Sequence, residues 1–202
     1  MADFEGGMGQ MFGQTPGKSL YFDTSVHTEA VNRLMYVVEN GEPFVLLQGA
    51  DGSGRTTVLE QVQDECRRYG HSVVLLSAAG TDRSVLLWNL CNALSVPPQT
   101  GQSTGQLMAS IRDEVIGRSV CRHRTAVLID DISRCADDLT GTIDFLTSLS
   151  HRAEGWLSVV GAGCEMDDSP LAKRSVLRVT LSSLETPEAR RFVARYLKSL
   201  YV

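Results

Sequence analysis

The sequence predicts an α/β fold, a three-layer sandwich in which a parallel, mostly five-stranded sheet lies between two layers of helices. Three observations predict it. The runs Phe44-Val45-Leu46-Leu47-Gln48 and Thr125-Ala126-Val127-Leu128-Ile129 are apolar but for one end residue each, as strands covered on both faces are. Segments with helical spacing of apolar residues alternate with such runs. A glycine-rich turn, Gly49-Ala50-Asp51-Gly52-Ser53-Gly54, follows the first run and opens a helix.

The first eighteen or so residues, with Gly6-Gly7-Met8-Gly9 and Met11-Phe12-Gly13, read as a flexible lead-in that buries little surface. A helix is expected from about Ser25 to Glu39. Val26, Ala30, Leu34 and Val37/Val38 share one face, Asp23 or Thr24 caps the start, and Asn40-Gly41 ends it. The first strand and glycine turn come next, then a helix to about Tyr69 stopped by Gly70. Ser72 to Leu76 is the second strand. Val85 to Leu94 is expected to be helical, with Val85, Trp88 and Leu90/Cys91 buried. Val96-Pro97-Pro98-Gln99-Thr100-Gly101 is a loop within the domain. Thr104 caps a helix carrying Leu107, Met108, Ile111 and Val115, closed by Gly117. After the strand at 125–129 come a helix through Ile143, Leu146 and Leu149, a strand at Leu157 to Val160, and another around Val176 to Leu181. A last helix starts at about Thr186, with Phe192, Val193 and Tyr196/Leu197 on its apolar side.

Composition removes several classes of function. The chain has 202 residues, 43% apolar and 21% charged, as in ordinary globular proteins. A net charge of −5 argues against nucleic acid as a direct partner, and the short basic cluster Arg122-His123-Arg124 reads as a solvated rim beside a strand. Five cysteines (Cys66, Cys91, Cys121, Cys135, Cys164), an odd number with no C-x-x-C, suit reduced and mostly buried thiols. The four histidines are scattered without H-E-x-x-H spacing, which argues against a Cys/His metal site. No apolar run is long enough for a bilayer, and the N-terminus lacks a signal-peptide pattern. The expected location is the cytoplasm, with docking on the periphery of a membrane complex left open.

Two motifs carry chemistry. Gly49, Gly54 and Thr56 match G-x-x-x-x-G-K-[ST], with Arg55 in the lysine position. In such a loop, backbone N–H groups turn inward as an anion nest at the positive end of the following helix. The cation at position 55 reaches the β- and γ-phosphates, and the Thr56 hydroxyl is offered to Mg²⁺. The second motif is Val127-Leu128-Ile129-Asp130-Asp131, an apolar strand delivering carboxylates at its carboxyl end. Asp130 is the expected Mg²⁺ partner and Asp131 the residue that positions an attacking water. The nucleotide-binding set is thus Gly49, Asp51, Gly52, Ser53, Gly54, Arg55, Thr56 and Thr57, with ATP and Mg²⁺ as the expected ligands.

From about Phe12 onward the chain resembles the AAA+ ATPases of the general secretion pathway A (ExeA/GspA-like) type, relatives of the TnsC/TniB-type transposition ATPases. Beyond the two motifs, the resemblance rests on three blocks. These are Ser19-Leu20-Tyr21-Phe22 with the helix holding His27, Glu29, Ala30 and Leu34; Leu171-Ala172-Lys173-Arg174; and Leu181-Ser182-Ser183-Leu184-Glu185-Thr186. It implies a P-loop AAA+ core over 19–184, followed at 185–202 by the start of a lid truncated to about one helix. It makes Tyr21 and His27 candidate base contacts, although His27 on its own reads as a surface residue of its helix. It also makes Arg174 a candidate arginine finger toward a neighbouring subunit; the alternative is an arginine solvated at the start of a strand. ATP/ADP and either further copies of the chain or a protein complex are the implied partners.

Three departures bear on hydrolysis. Arg55 replaces lysine, and a planar guanidinium is not equivalent to a compact ammonium. Asp131 stands where such enzymes usually have glutamate, one methylene longer. Gly161-Ala162-Gly163 lacks the polar sensor side chain that relatives place after the first glycine. The expectation is an ATP-binding module with weak or lost Mg²⁺-dependent hydrolysis. The alternative is a non-catalytic regulatory or assembly adaptor using a degenerate AAA+ fold. A P-loop kinase is disfavoured because the stretch from Val96 to Thr104 supplies no basic lid.

Overall fold

The computed structural model of the chain describes residues 24–164, 166–182, 190 and 194, the side chains of residues 134–138 excepted. Tyr21 and the expected last helix, apart from Arg190 and Ala194, which are helical, lie outside the described residues.

Apolar residues on both faces of each inner strand require two covering layers, and both are present. Five parallel strands, β1 (Phe44–Gly49), β2 (Ser72–Ser77), β3 (Thr125–Asp130), β4 (Leu157–Gly163) and β5 (Leu177–Leu181), form one sheet in the order β2-β3-β4-β1-β5. Side chains alternate across it with the period of two that a strand imposes. Val45 and Leu47, Ala126 and Leu128, and Val160 and Ala162 face α1 (Ser25–Asn40) and α2 (Arg55–Arg68), where Leu34, Val38, Leu59 and Val62 complete one core. Phe44 and Leu46, Val127 and Ile129, and Leu157 and Val159 face the opposite way. They meet Leu86, Leu90, Ile111, Ile143 and Leu171 from α3 (Arg83–Ala93), α4 (Thr104–Val120), α5 (Ala136–Arg152) and α6 (Pro170–Arg174).

The helix ends follow local chemistry. Thr24 caps α1 by accepting from the His27 N–H at 3.3 Å, and Gly41 closes that helix in the left-handed conformation. Ser103, not Thr104, caps α4 in a reciprocal box with Gln106, and the helix runs past Gly117 to Val120. α6 was absent from the expected elements; Ser169 caps it and Pro170 opens it. β4 extends three residues beyond its expected end, through Gly163.

Two expectations about individual side chains are corrected. Val85 is 43% exposed, and Leu86 and Leu87 take the buried side of α3 instead. Arg124 is not a solvated rim residue. Its guanidinium donates to the carbonyls of Val38 and Gly155 at 2.8 and 2.9 Å and lies 5.1 Å from the centre of the Trp156 ring, tying α1 to the turn before β4.

Cys66 and Cys91 are buried, Cys164 is half-buried and Cys121 is exposed, all as free thiols. Burial pushes the Cys66 thiol from 9.0 up to about 12, with Glu39 and Glu65 adding to the rise. Because the folded value is raised, this thiol contributes stability below its unfolded value, and the contribution is lost as pH climbs from about 9 towards 12. In alkylation at pH 8, Cys121 is expected to label first and Cys66 only on unfolding. Peptide mapping checks this, and rapid labelling of Cys66 in the folded chain would contradict it.

Candidate functional site

The strand order brings the two sequence motifs to one end of the sheet. After β1 the chain crosses to the far edge at β2, returns through β3 and β4, and adds β5 on the other flank of β1. Crossovers therefore leave the neighbouring strands β1 and β4 in opposite directions, and ligands of such sheets lie beyond the strand ends at that point. Gly49 ends β1 and Asp130 ends β3, with β4 between them and Gly161 in register with both Leu46 and Ile129.

The loop after β1 has the geometry of an anion nest. Gly52 and Gly54 adopt φ of +78° and +93°, a region side chains disfavour, and Gly54 is the residue from which α2 starts. Ser53 N–H closes a turn onto the Ala50 carbonyl at 3.0 Å. No backbone acceptor among the described residues takes the N–H groups of Gly52, Gly54, Arg55 or Thr56. The first turn of a helix leaves such donors for a ligand.

Arg55 is 8% exposed, and its guanidinium curls back over the loop. It donates to the carbonyls of Gly49 and Ala50, the latter at 2.9 Å, and to the Asp51 carboxylate at 3.1 Å. Its buried Nε has no partner among the described residues. Asp51 itself is exposed, while Ser53 is buried with its hydroxyl unpartnered. Thr57 is half-buried in the first turn of α2.

Thr56 and Asp130 meet as their motifs require. The Thr56 hydroxyl donates to Asp130 Oδ2 at 2.6 Å, joining residues 74 apart in sequence. Asp130 is 7% exposed, and its Oδ1 accepts from the Asp131 N–H at 2.9 Å. Asp131 follows at φ +57°, a left-handed conformation that aspartate tolerates better than most residues.

The other nominated positions stand differently. Ala162 is fully buried toward the α1/α2 layer. A side chain at Gly161 would meet Ile132 at 2.6 Å. Beyond them, the Cys164 N–H donates to the Ser133 hydroxyl at 3.2 Å. Arg174 ends α6 rather than starting a strand, and it grips Asp144 of α5 through two contacts of 2.5 and 3.2 Å. His27 is no surface residue. It is 7% exposed, with Nε2 2.8 Å from the carbonyl oxygen of Ser53 in the glycine loop. Sequence reasoning also missed Gln48, whose amide donates to Asp167 at 2.9 Å and Thr180 at 3.2 Å, bracing the end of β1.

A family model described as an AAA domain matches residues 38–169. General secretion pathway protein A of Aeromonas hydrophila is 25% identical over 191 residues, which cover 93% of this chain and 35% of that protein. The chain thus spans about a third of the length of that curated relative. Among solved structures, Cdc6p of Pyrobaculum aerophilum aligns with a TM-score of 0.69 at 13% identity, over 90% of this chain and 52% of that one. The ORC1 protein of Aeropyrum pernix, solved in complex with DNA, aligns at 0.66 and 17% identity, over 86% and 49%. At such identities the two structures speak for the fold, which is the P-loop AAA+ core. With a family match over more than half its length and the nest and paired carboxylate strand in place, the chain belongs to the AAA domain family, as an AAA+ ATPase module of the ExeA/GspA-like type.

Proposed function

We propose that the chain binds ATP with Mg²⁺ through the loop from Gly49 to Thr56 and hydrolyses it slowly. The observation that carries the reading is the 2.6 Å contact between Thr56 and Asp130 beside a nest of unpaired amides. A hydroxyl and a carboxylate so placed suit Mg²⁺, a hard cation that takes few protein oxygens and keeps most of its water. The orphaned, buried Arg55 Nε adds an unpartnered donor at the same loop, which suits an anion.

In this mechanism the amides of Gly52, Gly54, Arg55 and Thr56 cradle the phosphates, and Asp51, Ser53 and Thr57 complete the loop. Arg55 leaves its carbonyl partners to neutralise charge, Thr56 and Asp130 hold the metal, and Asp131 orients the attacking water. Bound Mg²⁺ supplies charge neutralisation on the phosphate oxygens. Turnover is slow because Arg55 is held by loop carbonyls, Asp131 is short, and no polar side chain stands at Ala162. On this reading the nucleotide-binding core spans 19–184, a lid begins within 185–202, and Tyr21 is a proposed contact for the adenine. Arg174 acts toward a neighbouring copy on leaving Asp144.

The likeness to general secretion pathway protein A favours a partner assembly of a secretion pathway, and the proposed location is the cytoplasm, at the periphery of a membrane complex. No helix among the described residues is long and apolar enough to cross one. The net charge of −5 disfavours DNA as a direct partner. The second reading, a non-catalytic adaptor, is favoured by the self-contained pairing of Arg55 with its own loop.

A thermal melt tests the proposal. ATP and Mg²⁺ at a hundredfold excess over Kd are expected to raise the Tm by about 5–10 °C. No shift with ATP or ADP at millimolar concentration would remove both binding and hydrolysis and leave the adaptor reading.

A further inference from the structure

His27 stands in the first turn of α1 with both ring nitrogens engaged, Nδ1 2.7 Å from the Thr24 hydroxyl and Nε2 2.8 Å from the Ser53 carbonyl oxygen. A carbonyl oxygen only accepts, so Nε2 carries the proton and donates. The bond joins residues 26 apart and reaches into the glycine loop.

The peptide unit that begins at the Ser53 carbonyl ends in the Gly54 N–H. That unit is planar and trans, so its C=O and N–H point in opposite directions. Holding the carbonyl toward α1 therefore turns the Gly54 N–H away from α1. No backbone acceptor among the described residues takes that N–H. The ring also shapes the residue it presents. A Cβ on Gly54 would lie 2.4 Å from His27 Nε2, and φ there is +93°. The imidazole fills the space a side chain would take, and only glycine fits beneath it.

We propose that His27 is a positioning residue of the phosphate loop, fixing the Ser53–Gly54 peptide so that the Gly54 amide faces the nucleotide's phosphates. This rests on the ATP-binding reading. It gives the start of α1 a direct hold on the loop: displacing the first turn of that helix frees the peptide to rotate and withdraws one donor from the nest.

Two substitutions separate the two ring nitrogens. Asparagine carries its amide at the reach of Nδ1, and glutamine at the reach of Nε2. His27→Gln keeps the donor to Ser53 and is expected to bind ATP with Mg²⁺ within about threefold of the unsubstituted chain, whereas His27→Asn keeps only the Thr24 contact and weakens binding at least about tenfold. Titration calorimetry reads the affinities, and thermal melts without nucleotide read the folds. A merely structural histidine would lower the melting temperature in both variants and leave the two affinities alike, which overturns the proposal. An unsubstituted chain that binds no nucleotide overturns the ATP reading itself. Where His27→Asn does not fold, the imidazole ¹⁵N spectrum of the unsubstituted chain decides. ATP with Mg²⁺ is expected to shift the His27 Nε2 signal where adenosine does not, and an unmoved signal overturns the assignment.

Discussion

Arg55→Lys combined with Asp131→Glu is expected to raise steady-state phosphate release from ATP at least about tenfold, a barrier lowered by about 1.4 kcal/mol. Arg55 is held in the loop by the carbonyls of Gly49 and Ala50 and the carboxylate of Asp51, and its planar fork suits those fixed acceptors. A lysine ammonium in its place is a compact charge on a flexible stem, freer to follow the γ-phosphate as charge develops there. Glutamate at 131 adds one methylene of reach toward the water, and small misplacements at that step cost much rate. The gain has a structural cost. Residue 131 is left-handed, which glutamate tolerates less well, and the double variant is expected to lose about 1 kcal/mol of stability. Unchanged phosphate release would show that these two side chains do not limit turnover. A fast unsubstituted chain would show that they never did.

Asp130→Asn is expected to abolish the dependence of ATP affinity on Mg²⁺. The amide oxygen still accepts from Thr56, so the contact at the end of β3 and the fold are kept, while the negative charge is lost. Affinity measured with the metal is expected to fall at least about tenfold, to the value measured in EDTA, which itself stays within about twofold of the unsubstituted chain. Full Mg²⁺ dependence in Asp130→Asn would move the metal away from Thr56 and Asp130.

What the sequence made legible follows from the strength of local signals. β1 and β3 have unbroken apolar centres, Phe44 to Leu47 and Ala126 to Ile129, and lead into a glycine turn and an aspartate pair, so strand, loop and carboxylates were all readable from neighbouring residues. Thr56 and Asp130 could be paired in advance because two separate motifs share a known geometry. His27 could not. Its burial depends on α1 packing beside α2, a long-range fact with no trace in a helix position that reads as polar. Arg124 was misread for the same reason, since its partners Val38, Gly155 and Trp156 lie far away in sequence. Val85 was misplaced because a short helix with apolar residues all round has no clear face, and tertiary contact chose Leu86 and Leu87. α6 has only five residues, too few for a period to show, and its signal was the Ser169-Pro170 pair. Arg174 illustrates the limit of a resemblance. The resemblance nominated the position, and the partner that holds it in the structure, Asp144, comes from another helix.

The central claim is that this loop holds the phosphates of ATP with a metal at Thr56 and Asp130. Direct calorimetric titration of the unsubstituted chain with ATP, in Mg²⁺ and in EDTA, tests it most plainly. The account predicts one site per chain, tighter in Mg²⁺ than in EDTA, with adenosine binding far more weakly than ATP. Equal affinity for ATP and adenosine, or no heat of binding at millimolar ATP, would contradict it.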